Sequence, residues 1–400
     1  MKSKRVVLVC MLFLILLLVS CMEKKEETSK VKLYYNKNSI VTIKNVETLV
    51  KEYKNKEGKE IEIVPLEDID EMKSKIGEHK ESAIVLLDGY SFMDFTSKNY
   101  LRDLTSLFKD KTIRERFSLI TNLYSRINGR YFGLAFKPYS LELIYNKEML
   151  KEMQINVTEN NMFNLIKKLN EKNIKIPTYI ESRHSKEILL SNLVANDTIV
   201  YDIKSDILST NIEEKIKEIK SGQILMDKIY YYYNEGILRE DNFIDRDENV
   251  IKELNESKIP VLLTTSLITD RLNKESGNFY CVNKLPINNN VNSPVGSDLI
   301  ICSTIGSSNS EDIDIFMRYL IQSDVFKKLS EKNLITGNKD ADSNLLGVSA
   351  EMAENIHAAD GINKFYINII SDEKIKKIEN EIKNIMSGKY DKKEWDRVLE

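Results

Sequence analysis

The chain has 400 residues, of which 42% are hydrophobic and 30% are charged, and its formal net charge at pH 7 is −3. A nucleic-acid partner is not expected, since nucleic acids are bound by clustered Lys and Arg on a basic surface. The length exceeds what one hydrophobic core usually holds, so the sequence favours a globular protein with two lobes.

The first residues have the layout of an export signal. Lys2, Lys4 and Arg5 precede an unbroken apolar run from Val6 to Val19, and the chain becomes charged directly after Cys21. A transmembrane span is disfavoured, because a span needs about 20 apolar residues and this run is shorter. The sequence therefore predicts a signal peptide over residues 1–20.

The tetrad from Leu18 to Cys21 resembles the bacterial lipobox, in which the cysteine thiol receives a diacylglycerol and the bond before it is cut. The resemblance implies lipidation of Cys21, with acyl chains such as palmitate holding the protein to a cell membrane on its periplasmic or exterior face. Residues 21–30 would form a solvated tether. An ordinary signal with an incidental cysteine is the alternative. Loss of the signal would change the net charge from −3 to −6, because three basic residues and no acidic one precede Cys21.

Beyond the tether, short apolar strands alternate with amphipathic helices. Val46, Leu49, Val50 and Tyr53 recur at helical spacing, whereas 83–87 is apolar throughout, as in a strand buried on both faces of a sheet. Strands are predicted at 31–35, 60–64, 83–87, 131–136, 141–145, 259–264, 279–286 and 298–303, and helices at 162–172, 212–235, 309–321 and 372–386. The pattern indicates an α/β fold. Ligands of such sheets bind beyond the carboxyl ends of the strands, so two lobes can share one cleft.

Two cysteines follow in predicted strands, Cys281 and Cys302. The sequence is compatible with a disulfide between them and equally with two small buried residues.

The segment Ile127–Leu150, and above all its Tyr145-Asn146-Lys147-Glu148 stretch, resembles the extracellular solute-binding proteins of the maltose-binding type. These proteins are the substrate-capturing subunits of ABC importers. Three further segments, 82–108, 258–272 and 316–335, resemble the same family in the same order.

The resemblance implies a two-lobed periplasmic-binding-protein-like fold of type II, with the ligand cleft between the lobes. The chain would cross between lobes near residues 137, 289 and 336. The implied lobes are an N-terminal lobe of 31–137 and 289–335 and a C-terminal lobe of 138–288 and 336–400. A monomer would capture a small solute by cleft closure and deliver it to the transmembrane subunits of a permease, with no catalysis, cofactor or metal.

Matching positions imply a cleft lined by polar groups, which suit a polyhydroxylated solute, and by one tyrosine face that can lie against a sugar ring. The candidate ligand-binding residues are Asn36, Asn38, Asp88, Tyr90, Ser91, Tyr139, Arg183, Thr265, Ser266, Gly296 and Ser297. For Asn36, Asn38 and Ser91, turn or cap chemistry is the alternative. Arg183 either faces an anionic ligand or lies in a solvated loop.

Three positions depart from the family. Ala135 stands where proline is usual, Leu267 stands where sugar binders often carry a stacking tryptophan, and the only tryptophan is Trp395 near the end. A small sugar or another small polar solute is therefore favoured over a large oligosaccharide.

Several other signals are set aside. In Tyr230–Tyr233, successive helical residues point around the whole axis, so two of the four are expected in the core. The segments that begin at Asp245 and Asp340 resemble calcium loops, but Val250 and Leu345 replace the required glycine, which favours a helix cap and a polar loop. The rival functions are a surface lipoprotein whose degenerate cleft serves signalling or adhesion, and an anchored enzyme, although no nucleophile with a nearby base is found.

Overall fold

The computed structural model describes residues 30–38, 42–77, 82–157, 161–198, 221–273, 279–282, 293–306, 309–360, 365 and 370–400. The predicted signal peptide, Cys21, most of the tether and the crossing near residue 289 lie outside these residues, as do parts of the predicted strand at 279–286 and of the predicted helix at 212–235. Within the described ranges, no helix has the length and apolar character that crossing a membrane requires.

The described strands are β1 (Val31–Asn36), β2 (Ile61–Leu66), β3 (Ile84–Leu87), β4 (Arg126–Ile127), β5 (Arg130–Tyr131), β6 (Gly133–Asn146), β7 (Ile176–Tyr179), β8 (Phe243–Asp245), β9 (Val261–Thr265), β10 (Phe279–Val282) and β11 (Val295–Ser303).

The described α-helices are α1 (Ile43–Glu57), α2 (Ile69–Gly77), α3 (Gly89–Ser97), α4 (Lys111–Arg116), α5 (Leu119–Tyr124), α6 (Lys147–Glu152), α7 (Met162–Glu171), α8 (Lys186–Thr198), α9 (Ser221–Asn234), α10 (Asn249–Asn255), α11 (Ser310–Leu320), α12 (Ser323–Ser330), α13 (Lys339–Asp342), α14 (Gly347–Ala358), α15 (Asp372–Met386) and α16 (Glu394–Leu399). Short 3₁₀ helices span Thr105–Phe108, Glu240–Asn242 and Ser266–Arg271.

Apart from the β4–β5 pair, the described strands form one sheet in the order β2-β1-β3-β11-β6-β9-β7-β8, with β10 also paired to β6. The pairs β1–β2, β1–β3, β7–β8 and β7–β9 are parallel, whereas β11 and β6 run antiparallel to their neighbours. We call β2, β1, β3 and β11 the first half-sheet and β9, β7 and β8 the second half-sheet. Strand β6 joins the two.

Strand β6 runs without a break from Gly133 to Asn146, across the gap that the sequence predicted between strands at 131–136 and 141–145. Its residues 133–140 pair with β11, and residues 141–145 pair with β9. The predicted interruption is wrong because Lys137 and Ser140 are buried in the sheet and do not form a solvated turn. Lys137 has a φ of 50°, and the ladder with β11 skips this residue. The domain bounds near this strand stay predictions.

The apolar pattern of the sequence explains the layers around the first half-sheet. All four predicted stripe residues of α1 are buried. Ile84 and Leu86 of β3 join one apolar cluster, with α1, α11 and α12, while Val85 and Leu87 join the other. Strand β3 is thus buried on both faces, as its unbroken apolar sequence predicted.

The remaining predictions have mixed outcomes. Among the four successive tyrosines of α9, Tyr232 is buried in the apolar core and half-buried Tyr230 packs against it, whereas Tyr231 is exposed. The polar loop predicted from Asp340 is wrong for residues 340–342, which lie in helix α13, and holds for the exposed turn at 343–344. The carboxylate of Asp342 is buried and accepts the backbone N–H groups of residues 336 and 337 at 2.9 Å each. Cys281 and Cys302 are both free thiols buried in strands, which excludes a disulfide between them in this structure.

Candidate functional site

Tyr139 lies on β6, where the two half-sheets meet. Its side chain is 2% exposed, and its ring meets the ring of Phe365 edge-on, with 5.5 Å between the centroids. Gly296 is paired with Tyr139 across the ladder, and a Cβ there would lie 2.5 Å from the Phe365 ring. Gly296 is therefore required by the close approach of Phe365, and it contributes no side chain to a ligand.

Tyr124 of α5 fixes this aromatic pair. Its hydroxyl donates to the carbonyl of Val295 at 2.8 Å and accepts the backbone N–H of Phe365 at 3.1 Å. Burial of Tyr139 raises its phenol pKa to about 12, so this hydroxyl stays protonated and lies 3.5 Å from the hydroxyl of Ser182. The junction thus presents a neutral tyrosine between the two half-sheets.

Asp88 and Arg183 connect loops from the two sides of the junction. Asp88 follows β3 of the first half-sheet and caps α3, accepting the backbone N–H of Ser91 at 2.9 Å. Arg183 follows β7 of the second half-sheet, and its Nη1 lies 3.0 Å from Oδ2 of Asp88. Two residues that the sequence predicted as ligand-binding therefore bind each other, and the role of Ser91 here is that of a helix-cap donor.

The environment of Arg183 is largely closed to solvent. Its side chain is 11% exposed, its Nε donates to Nε2 of His184 at 3.0 Å, and Asp372 lies 3.5 Å from Nη1. Burial alone would lower the pKa of Arg183, but the carboxylates of Asp88 and Asp372 outweigh it and raise that pKa. Burial and the neighbouring guanidinium hold the pKa of His184 well below its usual range, so His184 is neutral and accepts the bond. The solvated-loop alternative for Arg183 is wrong.

Thr265 and Ser266 end β9 and begin the 3₁₀ helix that follows it. The Thr265 hydroxyl donates to the carbonyl of Glu181 at 3.0 Å, and the Ser266 hydroxyl accepts the backbone N–H of Ser140 at 3.1 Å. Both residues are buried. In this conformation their hydroxyls hold the 181–184 loop and β6 in place.

The other candidates divide by position. The side chain of Asn36 accepts the backbone N–H of Asn38 at 2.9 Å, and Asn38 donates to the carbonyl of Glu67 at 3.0 Å, which is the turn chemistry considered as an alternative. The Ser297 hydroxyl donates to the Leu299 carbonyl at 2.9 Å. Tyr90 is half-buried in the first turn of α3. Contact of any of these candidate residues with a solute stays a prediction.

Two buried charged groups near the junction escaped sequence reasoning. Lys137 is 3% exposed, and burial lowers its pKa to about 8 despite the nearby carboxylates of Asp270 and Asp298. Asp298 in turn accepts the backbone N–H of Thr42 at 2.9 Å. The available signal was a charged residue inside an apolar strand that is flanked by other strands.

No metal centre is evident in the described ranges, where no group of three His, Cys, Asp or Glu side chains could hold an ion. The site is instead a junction of aromatic, hydroxyl and charged side chains.

Comparison with solved structures identifies the fold. A protein from a study of xylan utilization by the thermophilic bacterium Caldanaerobius polysaccharolyticus is 13% identical, with a TM-score of 0.61 over 92% of this chain and 98% of that chain. A cyclo/maltodextrin-binding protein complexed with maltotetraose is 15% identical, with a TM-score of 0.64 over 94% and 97% of the two chains. No protein-family model matches the sequence, and no curated protein matches it.

At these identities the likeness shows the fold alone, and it covers nearly the whole chain. The protein therefore has the α/β, two-lobed fold of these binding proteins, as the sequence predicted, with β6 running through the junction of the half-sheets.

Proposed function

We propose that this protein is the lipid-anchored substrate-binding subunit of an ABC importer, which captures a small carbohydrate by closing its two lobes. The observation that carries the proposal is the fold: the chain matches a maltodextrin-binding protein complexed with maltotetraose along 94% of its length. The junction chemistry supports it, since hydroxyls, a buried tyrosine and a charged pair lie where loops of both half-sheets converge.

A solute that touches both lobes stabilises the closed state, because all its contacts exist only there. Catalysis plays no part in this proposal, and neither does a metal or cofactor. Anchoring through Cys21 on the periplasmic or exterior face of a membrane would keep the protein near the transmembrane permease subunits.

The test of solute binding is a thermal-shift screen of the full-length protein in detergent against mono- and disaccharides, polyols, sugar phosphates, amino acids and polyamines. A binder of the native state at about 100 times its dissociation constant adds roughly 2.7 kcal/mol of stability. A shift with saccharides supports the proposal. Shifts with amino acids or polyamines alone would reject a carbohydrate as the solute.

One observation favours a second candidate, a surface lipoprotein whose cleft has lost solute binding. The hydroxyls of Thr265 and Ser297 are engaged with backbone carbonyls of the protein itself. This candidate predicts no shift with any small molecule, together with saturable binding to a cell surface or another protein.

The anchor is tested separately. Mass spectrometry of the mature N-terminus should find an acylated cysteine at position 21, and Cys21→Ala should release the protein from the membrane fraction. An unmodified N-terminus at any other residue would refute lipidation while leaving the binding test unaffected.

A further inference from the structure

The Asp88–Arg183 pair indicates a chemical class of solute within the proposed function, on which this inference rests. We propose that Arg183 recognises a carboxylate on the solute, so that the preferred ligand is an acidic sugar, and that Asp88 occupies the place of that carboxylate when the lobes are together without a solute.

The guanidinium of Arg183 makes only part of the hydrogen bonds that it can donate. Nε of Arg183 donates to His184 and Nη1 donates to Asp88, but buried Nη2 has no hydrogen-bond partner in the described part of the chain. Leaving a buried donor unsatisfied is unfavourable, and more so for a charged group. The Nη1–Nη2 edge is the one that a carboxylate fills with two parallel bonds.

Asp88 fills this edge of the guanidinium only in part. Its Oδ2 contacts Nη1 at 3.0 Å, while its Oδ1 is committed to the backbone N–H of Ser91 at the start of α3. With Oδ1 held at the helix N-terminus, this carboxylate reaches Nη1 through Oδ2 and leaves Nη2 without a bond. The contact between Asp88 and Arg183 is therefore single, where a solute carboxylate could form two bonds.

Other charged groups near Arg183 do not fill the Nη1–Nη2 edge either. Asp372 lies 3.5 Å from Nη1, but its side chain is 72% exposed, so water competes for it. Asp298 accepts the backbone N–H of Thr42 through Oδ2. His184 is neutral and acts as an acceptor, so it adds no positive charge and leaves the guanidinium as the cation of this loop.

The Asp88–Arg183 pair joins the two sides of the junction. Asp88 follows β3 in the first half-sheet and Arg183 follows β7 in the second, so separation of the lobes breaks this contact. The Nη1–Nη2 edge is then open to a solute. Asp88 competes with the solute from within the protein, which lowers the apparent affinity of the wild-type protein.

The test compares matched sugars by calorimetry on the full-length protein in detergent. Galacturonate and glucuronate are set against galactose and glucose, and acetate and benzoate serve as carboxylates without a sugar. We expect at least one uronate to bind about tenfold or more tightly than its parent sugar, which is the gain expected from one charge-assisted hydrogen bond.

Three variants make the test specific. Arg183→Gln should reduce the preference for the uronate to within about twofold, and Arg183→Lys, which keeps the charge without the planar edge, should retain only part of it. Asp88→Asn should tighten uronate binding without tightening binding of the parent sugar. Arg246→Gln removes another arginine, whose ion-pair partner is Glu253 and not a residue of the 181–184 loop, and should leave the preference unchanged.

Each outcome bears on the inference. Parent sugars that bind as tightly as the uronates, or a preference that survives Arg183→Gln in a folded variant, would overturn it. Binding of acetate or benzoate that depends on Arg183, without any saccharide binding, would uphold carboxylate recognition and reject the carbohydrate function. Binding of neutral sugars alone would uphold the carbohydrate function and reject carboxylate recognition. No binding of any probe would reject both the carbohydrate function and carboxylate recognition.

Discussion

Replacing Glu142 by Gln should stabilise the protein, by an amount that increases with pH. Glu142 lies on β6 opposite Thr264, and its side chain is fully buried. Oε1 is hydrogen-bonded to the Ser140 hydroxyl, whereas Oε2 has no hydrogen-bond partner among the described residues. Burial raises the pKa of Glu142 to about 8, above its ordinary value of 4.5; the Ser140 hydroxyl lowers this pKa and the nearby carboxylate of Glu351 raises it.

The sign follows from proton binding. Between pH 4.5 and pH 8 the folded protein holds a proton on Glu142 that the unfolded chain has released, so the free energy of unfolding falls as pH rises. The contribution of this group is fully present below pH 4.5 and is lost as pH rises towards 8. One pKa unit corresponds to about 1.4 kcal/mol, so the full loss is about 5 kcal/mol.

Glutamine keeps the shape of the protonated side chain and cannot ionise. Relative to wild type, Glu142→Gln should gain about 1 kcal/mol at pH 5 and about 4 kcal/mol at pH 8. Urea unfolding of both proteins at pH 5, 6.5 and 8, followed by circular dichroism and tyrosine fluorescence, measures the difference. If the lobes unfold in separate transitions, the gain belongs to the transition that melts β6.

Glu152→Gln at an exposed position of α6 is the matched control, and its effect should not change over this pH range. A Glu142→Gln gain that stays constant or shrinks between pH 5 and pH 8 would refute the argument that Glu142 is a buried, uncompensated carboxyl. A loss of stability at pH 8 would refute it more strongly.

The other predictions concern the same junction, and each is checked by urea unfolding. Lys137→Met should stabilise the protein by about 3 kcal/mol below pH 8, because burial lowers the pKa of Lys137 to about 8 from 10.5. This gain in stability should fade as pH rises to 10.5, and a gain that persists at that pH would contradict the prediction. Gly296→Ala should lower the free energy of unfolding by about 1–3 kcal/mol, because its Cβ would meet Phe365. The control is Gly77→Ala, where a Cβ meets nothing within 4 Å, and it should not be destabilising. Equal effects of the two substitutions would refute the contact with Phe365. Tyr124→Phe should cost about 1–3 kcal/mol, since the hydroxyl bonds the backbone of β11 and of residue 365; an unchanged midpoint would contradict this.

Local periodicity was sufficient to predict much of the fold. The stripe from Val46 to Tyr53 predicts α1 because its four apolar residues bury one helix face, and 372–386 coincides with α15. The unbroken apolar run of β3 predicts burial on both faces, because successive side chains of a strand point to opposite faces of the sheet. These elements depend on residues that are neighbours in sequence, and local patterns describe such neighbours well.

The candidate site was only partly predictable, because its contacts join distant residues. The sequence placed Asp88 and Arg183 in the cleft separately, but their mutual contact spans 95 positions, and no local spacing encodes it. Phe365 was missed for the same reason, since its contact with Tyr139 exists only in the folded sheet.

Strand β6 explains why its two buried charges were overlooked as well. The predicted strands at 131–136 and 141–145 left residues 137–140 between them, and buried charges in a sheet are costly without partners. The strand continues nevertheless, since its backbone is bonded to β11 over one half and to β9 over the other, and a turn would forfeit ladder bonds on both sides. Lys137 and Glu142 instead reduce their cost through pKa values of about 8, which bring both groups closer to their neutral forms. Their ionisation has opposite pH dependence, so Lys137→Met and Glu142→Gln should stabilise the same strand at opposite ends of the pH range.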